Sequence, residues 1–217
     1  MVVIRWFGHA CFQLVTSAGV SIVFDPHDGR SIGLKPPRAE ADIVLISHEH
    51  FDHNAYQLVA KPTARIMSMK TGDFEIAGVK IRGVDAYHDQ YGGRRRGRVT
   101  IYRVEADGVV FVHLGDLGHV LEPERASKIK PVDVLMIPVG GTFTIGPAEA
   151  WKNIEILEPS VVIPMHYWVK GVNLPLKPVD EFLALTPQGW NVEKLQSNEY
   201  VLETIGRVKK ILVFELP

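Results

Sequence analysis

Ile43-Val44-Leu45-Ile46-Ser47-His48-Glu49-His50-Phe51-Asp52-His53 is the stretch on which the reading of this chain turns. Its first four residues are apolar without interruption, which suits a strand buried on both faces of a sheet. That strand delivers the chain to a cluster of imidazoles and carboxylates. His48 and His50, two apart in extended chain, project to the same side and can grip one metal ion. Asp52 and His53, where the chain turns toward Asn54, can reach a second position beside it. Buried together without a cation, these groups would be left unsatisfied or in like-charge repulsion, which is costly on any transfer scale.

Working outward, short β-rich runs separated by Gly-, Pro- and Ser-containing turns precede this stretch: Val2 to Phe7, Cys11 to Thr16 and Val20 to Phe24. Further strands are expected over Phe74 to Val84, broken at Gly78, then over Val99 to Glu105 and Val109 to His113, joined by the hairpin signal Ala106-Asp107-Gly108. Val132 to Ile137, Val161 to Ile163 and Lys209 to Leu216 complete the set. Pro147 to Leu157 carries Ala150, Trp151, Ile154 and Leu157 at helical spacing, with a proline at its first turn and Pro159 beyond its end. A second helix is expected from Pro178, carrying Val179, Phe182, Leu183 and Leu185 until Pro187 and Gly189. Strands first and helices later predict two face-to-face sheets covered by helices, an α/β arrangement of the α+β kind, in one domain over residues 1–217.

The chain has 217 residues, of which 46% are hydrophobic and 23% charged, enough for one sizeable packed core. A formal net charge of -1 provides no global field toward nucleic acid or an anionic membrane, so neither partner is expected. Cys11 is the single cysteine, which excludes an intrachain disulfide and a thiolate metal cluster. The first residues lack the pattern of a secretory leader, and no stretch approaches the ~18 apolar residues of a membrane span, so a cytoplasmic protein is expected. A small-molecule substrate and, compatibly, a homo-oligomer follow as expectations.

The nine histidines fall almost entirely at strand ends or in the loops just after them, where sites are built. The segment HEHFDH after a buried strand resembles the HxHxDH signature of the metallo-β-lactamase superfamily. Asp25 in FDP, His88 in AYHD, Asp116 in HLGDLGH and His166 in IPMHY match its other motifs in order. GHACF, the glycine- and arginine-rich loop after His88, IPVGGTFTIGPAEA and IPMHY are further similar to a prokaryotic Zn-dependent hydrolase group that includes ascorbate-6-phosphate lactonase relatives. The resemblance implies an αββα sandwich. It also implies one metal held by His48, His50 and His88, a second held by Asp52, His53 and His166, and Asp116 bridging both. Asp25 is then a group that fixes the ligand loop. Two Zn²⁺ ions are the expected cofactor, with Mn²⁺ or Fe²⁺ as alternatives for such N and O donors.

Two ions roughly 3.5–4 Å apart can lower the pKa of a bound water to about 7 and polarise the oxygen under attack, so no serine or cysteine nucleophile is needed. Asp52, besides binding, could orient that water. His119 is a candidate proton donor or anion binder, or else a loop-stabilising residue. His9 lines the pocket or holds a tight turn. His113 is expected as a buried hydrogen-bonding residue, His27 on the surface and Cys11 in the core. Arg94, Arg95 and Arg96 form the one sharply basic feature and are candidates for binding a substrate anion, against a solvated loop. The function expected is hydrolysis of a small, anionic ester, lactone or phosphodiester. The alternatives are a nuclease acting on RNA or single-stranded DNA, disfavoured by the lack of a basic track, and a non-catalytic metal-binding protein, disfavoured because every ligand position is filled.

Overall fold

A computed structural model describes residues 1–206 and 209–217. In chain order the strands are β1 (Val2–Trp6), β2 (Phe12–Val15), β3 (Ser21–Phe24), β4 (Ala41–Ile46), β5 (Ala60–Ser68), β6 (Gly72–Ile76), β7 (Val79–Tyr87), β8 (Arg98–Ala106), β9 (Val109–His113), β10 (Val134–Pro138), β11 (Val161–Met165), β12 (Trp190–Lys194), β13 (Glu199–Leu202) and β14 (Lys209–Val213). The helices are α1 (Pro123–Ile129), α2 (Pro147–Leu157) and α3 (Val179–Leu183). One sheet has the order β13-β1-β2-β3-β4-β5, antiparallel up to β3 and parallel across β3, β4 and β5. The other runs β12-β14-β11-β10-β9-β8-β7-β6, parallel from β12 to β9 and antiparallel beyond. Two mixed sheets with few helices make an α+β sandwich.

The alternation along β4 explains how the sheets are held. Ile43 and Leu45 enter the core shared with the second sheet, beside Ile101, Tyr102, Phe111 and Met136. Val44 and Ile46 point the other way, into a smaller cluster with Phe7, Cys11 and Val23. All four are essentially sealed from water, and each such side chain contributes about 1.5–3 kcal/mol through burial. The uninterrupted apolar run therefore marks a strand covered on both sides. On the second sheet α2 supplies the cover, burying Ala150, Trp151, Ile154 and Leu157 along one stripe. Trp151 stacks on Phe182 of α3 with ring centroids 5.0 Å apart and donates its indole N–H to the Phe182 carbonyl at 3.2 Å.

Among the described residues the first sheet has no comparable helix. Its parallel connections, residues 25–40 and 47–59, contain only the short 3₁₀ turns Arg30–Ile32 and Tyr56–Leu58. Parallel crossovers are usually helical; here the second is occupied by the HEHFDH loop, so site residues take the place of a helix. Two hairpins turn on left-handed residue pairs, Ala77-Gly78 (φ 51 and 78) and Asp107-Gly108 (φ 49 and 74), matching the right-handed twist of their strands. Among the described residues, no helix is long and apolar enough to cross a membrane.

Candidate metal centre

The site forms where strand ends converge. Asp25 follows β3, Ser47 and His48 follow β4, His88 follows β7, the Asp116 loop follows β9 and His166 follows β11, while His9 lies in the β1–β2 turn. Asp25, His9 and His166 all have left-handed backbones, with φ of 41, 52 and 52. For non-glycine residues that conformation costs about 1–2 kcal/mol each, and such strain collects at functional sites. Local bonds hold it. The Asp25 N–H donates to Leu45 O at 3.0 Å and the His166 N–H to His9 O at 3.1 Å. The Trp6 indole also donates to His9 O at 3.1 Å.

Asp25 sets the tautomers of two histidines. Its carboxylate accepts the Ser47 N–H at 2.7 Å, the Ser47 hydroxyl at 2.6 Å and His53 Nδ1–H at 3.0 Å. Because the single Ser47 hydroxyl proton goes to Asp25, Ser47 Oγ accepts from His48 Nδ1, 2.9 Å away. Both imidazoles thereby turn Nδ1–H to these partners and Nε2 into the site, and both Nε2 atoms are buried without a hydrogen-bond partner.

Those nitrogens face Asp116. Its Oδ2 lies 3.7 Å from His48 Nε2, 3.4 Å from His88 Nε2 and 3.2 Å from His166 Nε2, while its Oδ1 lies 3.3 Å from His53 Nε2. Two groups of donors thus meet at one carboxylate. The atoms of His48, His50 and His88 lie within 4.8 Å of one another, and so do those of His9, Asp52, His53 and His166. With metal–ligand bonds near 2.0–2.2 Å, donors sharing one ion stand about 3.0–3.5 Å apart, and the contacts to Asp116 run from 3.2 to 3.7 Å. His48 Nε2, His53 Nε2 and Asp116 Oδ1 are all orphaned, at about 1–3 kcal/mol for each unsatisfied group. A cation would satisfy all three, so the residues fit metal ions.

The protonation states agree. Burial, aided by nearby His53, pushes His48 down to about 3, so it is a neutral donor at pH 7. Burial works to raise Asp116, but His166, His53 and His48 around it hold its carboxyl well below the usual range. Burial opposes charge on His53, yet Asp116, Asp25 and Asp52 outweigh it and keep that imidazole protonated well above its ordinary value. A metal ion held there would take the place of that proton.

A family model described as a β-lactamase superfamily domain matches residues 3–166. The chain belongs to the metallo-β-lactamase superfamily. Within that superfamily it is 35% identical to the UPF0173 metal-dependent hydrolase of Thermococcus onnurineus, covering 77% of this chain and 85% of that protein. A crystal structure from Thermotoga maritima, described as a Zn-dependent hydrolase of the superfamily, is 36% identical with a TM-score of 0.81 over the full length of both chains. The isothiocyanate hydrolase of Delia radicum gut bacteria shares the fold at 14% identity, TM-score 0.63, covering 84% of this chain and 90% of that one.

The seven superfamily positions, His48, His50, Asp52, His53, His88, Asp116 and His166, are brought together, and His9 joins them with Nε2 3.0 Å from Asp52 Oδ2. His113 is buried and fully bonded, its Nε2 at 2.9 Å from Ala10 O and its Nδ1 accepting the Gly115 N–H. His27 corrects the expectation of a surface residue: it is 0% exposed, its Nε2 bonded to Phe7 O at 3.1 Å, packed beneath the β1–β2 turn. Both nitrogens of His119 are tied to backbone, Nε2 accepting Tyr87 N–H at 3.3 Å and Nδ1 donating to Val120 O at 2.9 Å. That leaves no free proton for a leaving group, and the geometry favours the loop-stabilising alternative. Gly118 is required there, because a Cβ would stand 2.3 Å from the His88 carbonyl carbon and from Asp89 N.

The arginine loop is organised by a residue the sequence reading passed over. Asp89 accepts backbone N–H bonds from Tyr91, Gly93, Arg95 and Arg96 at 2.8–2.9 Å, and these hold its carboxyl down to about 2 against its burial. The signal was a carboxylate directly after His88 and ahead of a loop of unpaired N–H groups. Beside His88 lies a cavity of about 550 Å³ lined by Tyr91, Arg95, Arg96, Phe143 and Glu149. Arg95 packs over Tyr91 at 4.0 Å and Arg96 over Phe143 at 4.8 Å. Arg94, grouped with them in the sequence, is absent from this lining; all three arginines are exposed.

Proposed function

We propose that this chain is a metal-dependent hydrolase whose two metal positions share Asp116 and which acts on a small anionic ester, lactone or phosphodiester. The observation that carries the reading is a pair of donor groups, His48-His50-His88 and Asp52-His53-His166, meeting at one buried carboxylate. The hydrolase names of the Thermococcus and Thermotoga relatives support it. Zinc suits this donor set, with manganese or iron(II) as alternatives. When bound, such ions supply Lewis acidity toward the oxygen under attack and water ionised near neutral pH.

The chain's own residues do the rest. Asp52, the most exposed member of its donor group, would orient the attacking water and accept its hydrogen bond. Cys11 does not compete as a nucleophile, since burial and the Asp25 charge keep its thiol protonated far above its usual range. Arg95 and Arg96, two cations beside the single free acid Glu149, hold the substrate anion, and the cavity volume suits a small molecule.

The purified, metal-quantified protein is to be screened against bis-p-nitrophenyl phosphate, acyl lactones, thioesters and sugar-phosphate lactones. Turnover of small anionic members is expected. Indifference to all of them, with salt-sensitive cleavage of single-stranded oligonucleotides, would replace this reading with a nuclease.

A further inference from the structure

The two donor groups differ in number and in exposure. His48, His50 and His88 form a group of three in which His50 is exposed; His9, Asp52, His53 and His166 form a group of four, every one of them buried. From this asymmetry we infer that His9 is a direct ligand, a fourth protein donor to the second metal position beyond the three that the superfamily pattern supplies. The inference rests on the two-metal reading above.

Three observations carry it. His9 Nε2 stands 3.0 Å from Asp52 Oδ2, a separation that two ligands of one ion share with a hydrogen-bonded pair, so distance alone does not choose. The ring positions do: the His9 ring centroid is 4.0 Å from that of His166 and 5.0 Å from that of His53, so three imidazoles crowd one point. A packing role would be met by an apolar side chain; imidazoles gathered in a dry site, with the His9 ring tilted 39° to His166 and 54° to His53, gain most when a cation sits between them. Finally, the His9 backbone is strained into the left-handed region at φ 52 and its carbonyl is clamped by the Trp6 indole and by the N–H of His166 itself. The β1–β2 turn is thereby fastened to the loop of another ligand, as expected where the side chain must be aimed rather than merely housed.

The consequence is a division of labour. Four protein donors plus Asp116 leave little room for a further ligand at the second position, whereas the first, with an exposed member, keeps an open place for water and substrate.

The test uses Co²⁺-loaded full-length protein and proton NMR, in which each coordinated imidazole gives a hyperfine-shifted, exchangeable ring N–H. Wild type is expected to show signals from six imidazoles, namely His48, His50 and His88 with His9, His53 and His166. His9→Gln, which can still donate an N–H to Asp52, should lose one signal and bind its second Co²⁺ more than ~100-fold more weakly, beyond the 10–100-fold typical of an outer-shell contact. Five signals in a wild type holding two Co²⁺ would overturn the His9 assignment alone, even were the variant not to fold. So would a folded His9→Gln protein with unchanged spectrum and affinity. A wild type holding fewer than two Co²⁺ would overturn the two-metal reading, and the inference with it.

Discussion

His53 Nδ1 donates to Asp25 Oδ2 across 3.0 Å, and this bond aims the opposite nitrogen at Asp116 Oδ1, 3.3 Å away. Asp25 is fully enclosed and also bonds the backbone and hydroxyl of Ser47, so its carboxylate, which lies within 4.8 Å of donor atoms of His48 and His53, is taken up in orienting the ligand loop. Replacing it with alanine strands three buried donors. Asp25→Ala is expected to lower stability by about 3–5 kcal/mol and metal affinity by about 10–100-fold. Ser47→Ala, which frees only the tautomer of His48, should cost less on both counts. Chemical denaturation and chelator competition measure the two effects separately.

The metal-free protein should have a stability window bounded by groups of opposite sign. Asp25 and Asp116 titrate below their ordinary 3.8 in the folded state; their contribution is present above that value and lost as pH falls through the folded one. His53 titrates well above 6.5; its contribution is complete below 6.5 and is lost as pH rises through the raised value. The apo protein should therefore weaken on the alkaline side, while the metal-loaded protein, in which the ion replaces that proton, should not. Metal loading near neutral pH should release a proton, seen by calorimetry in buffers of different ionisation enthalpy.

Asp116 stands between both donor groups, whereas His166 belongs to one. Asp116→Ala should thus lower metal content more than His166→Ala, because losing the shared carboxylate also leaves two cations less screened from each other. Elemental analysis after dialysis against graded chelator checks this. Equal retention in the two variants would remove Asp116 from its shared role.

Arg95 and Arg96 line the cavity beside His88 and Arg94 does not. Arg95→Ala combined with Arg96→Ala is expected to raise KM for an anionic substrate about tenfold while leaving kcat and the turnover of a neutral ester nearly unchanged, the signature of lost binding. Arg94→Ala should change neither. Steady-state kinetics on one charged and one neutral ester separates these outcomes.

Much of this arrangement was legible before folding because the strongest signals were local. The apolar run Ile43 to Ile46 ends on the ligand loop, and β4 is indeed buried on both faces. The strands that escaped the reading, β5, β12 and β13, are edge strands whose exposed or half-buried residues lack strong period-2 patterning. Helix α1 was missed because only Ala126 and Ile129 of its seven residues are buried. His27 was misread as exposed because its burial depends on chain segments distant in sequence. The pairing of His9 with Asp52 spans 43 residues, and nothing local to Gly8-His9-Ala10 could reveal it.

The central claim is that this fold builds a centre for two metal ions, and elemental analysis of the purified protein tests it most directly. The account predicts close to two equivalents of transition metal per chain, removed by a strong chelator together with hydrolytic activity and restored with it on adding Zn²⁺ back. A folded chain that hydrolyses its substrate at full rate without metal would contradict it.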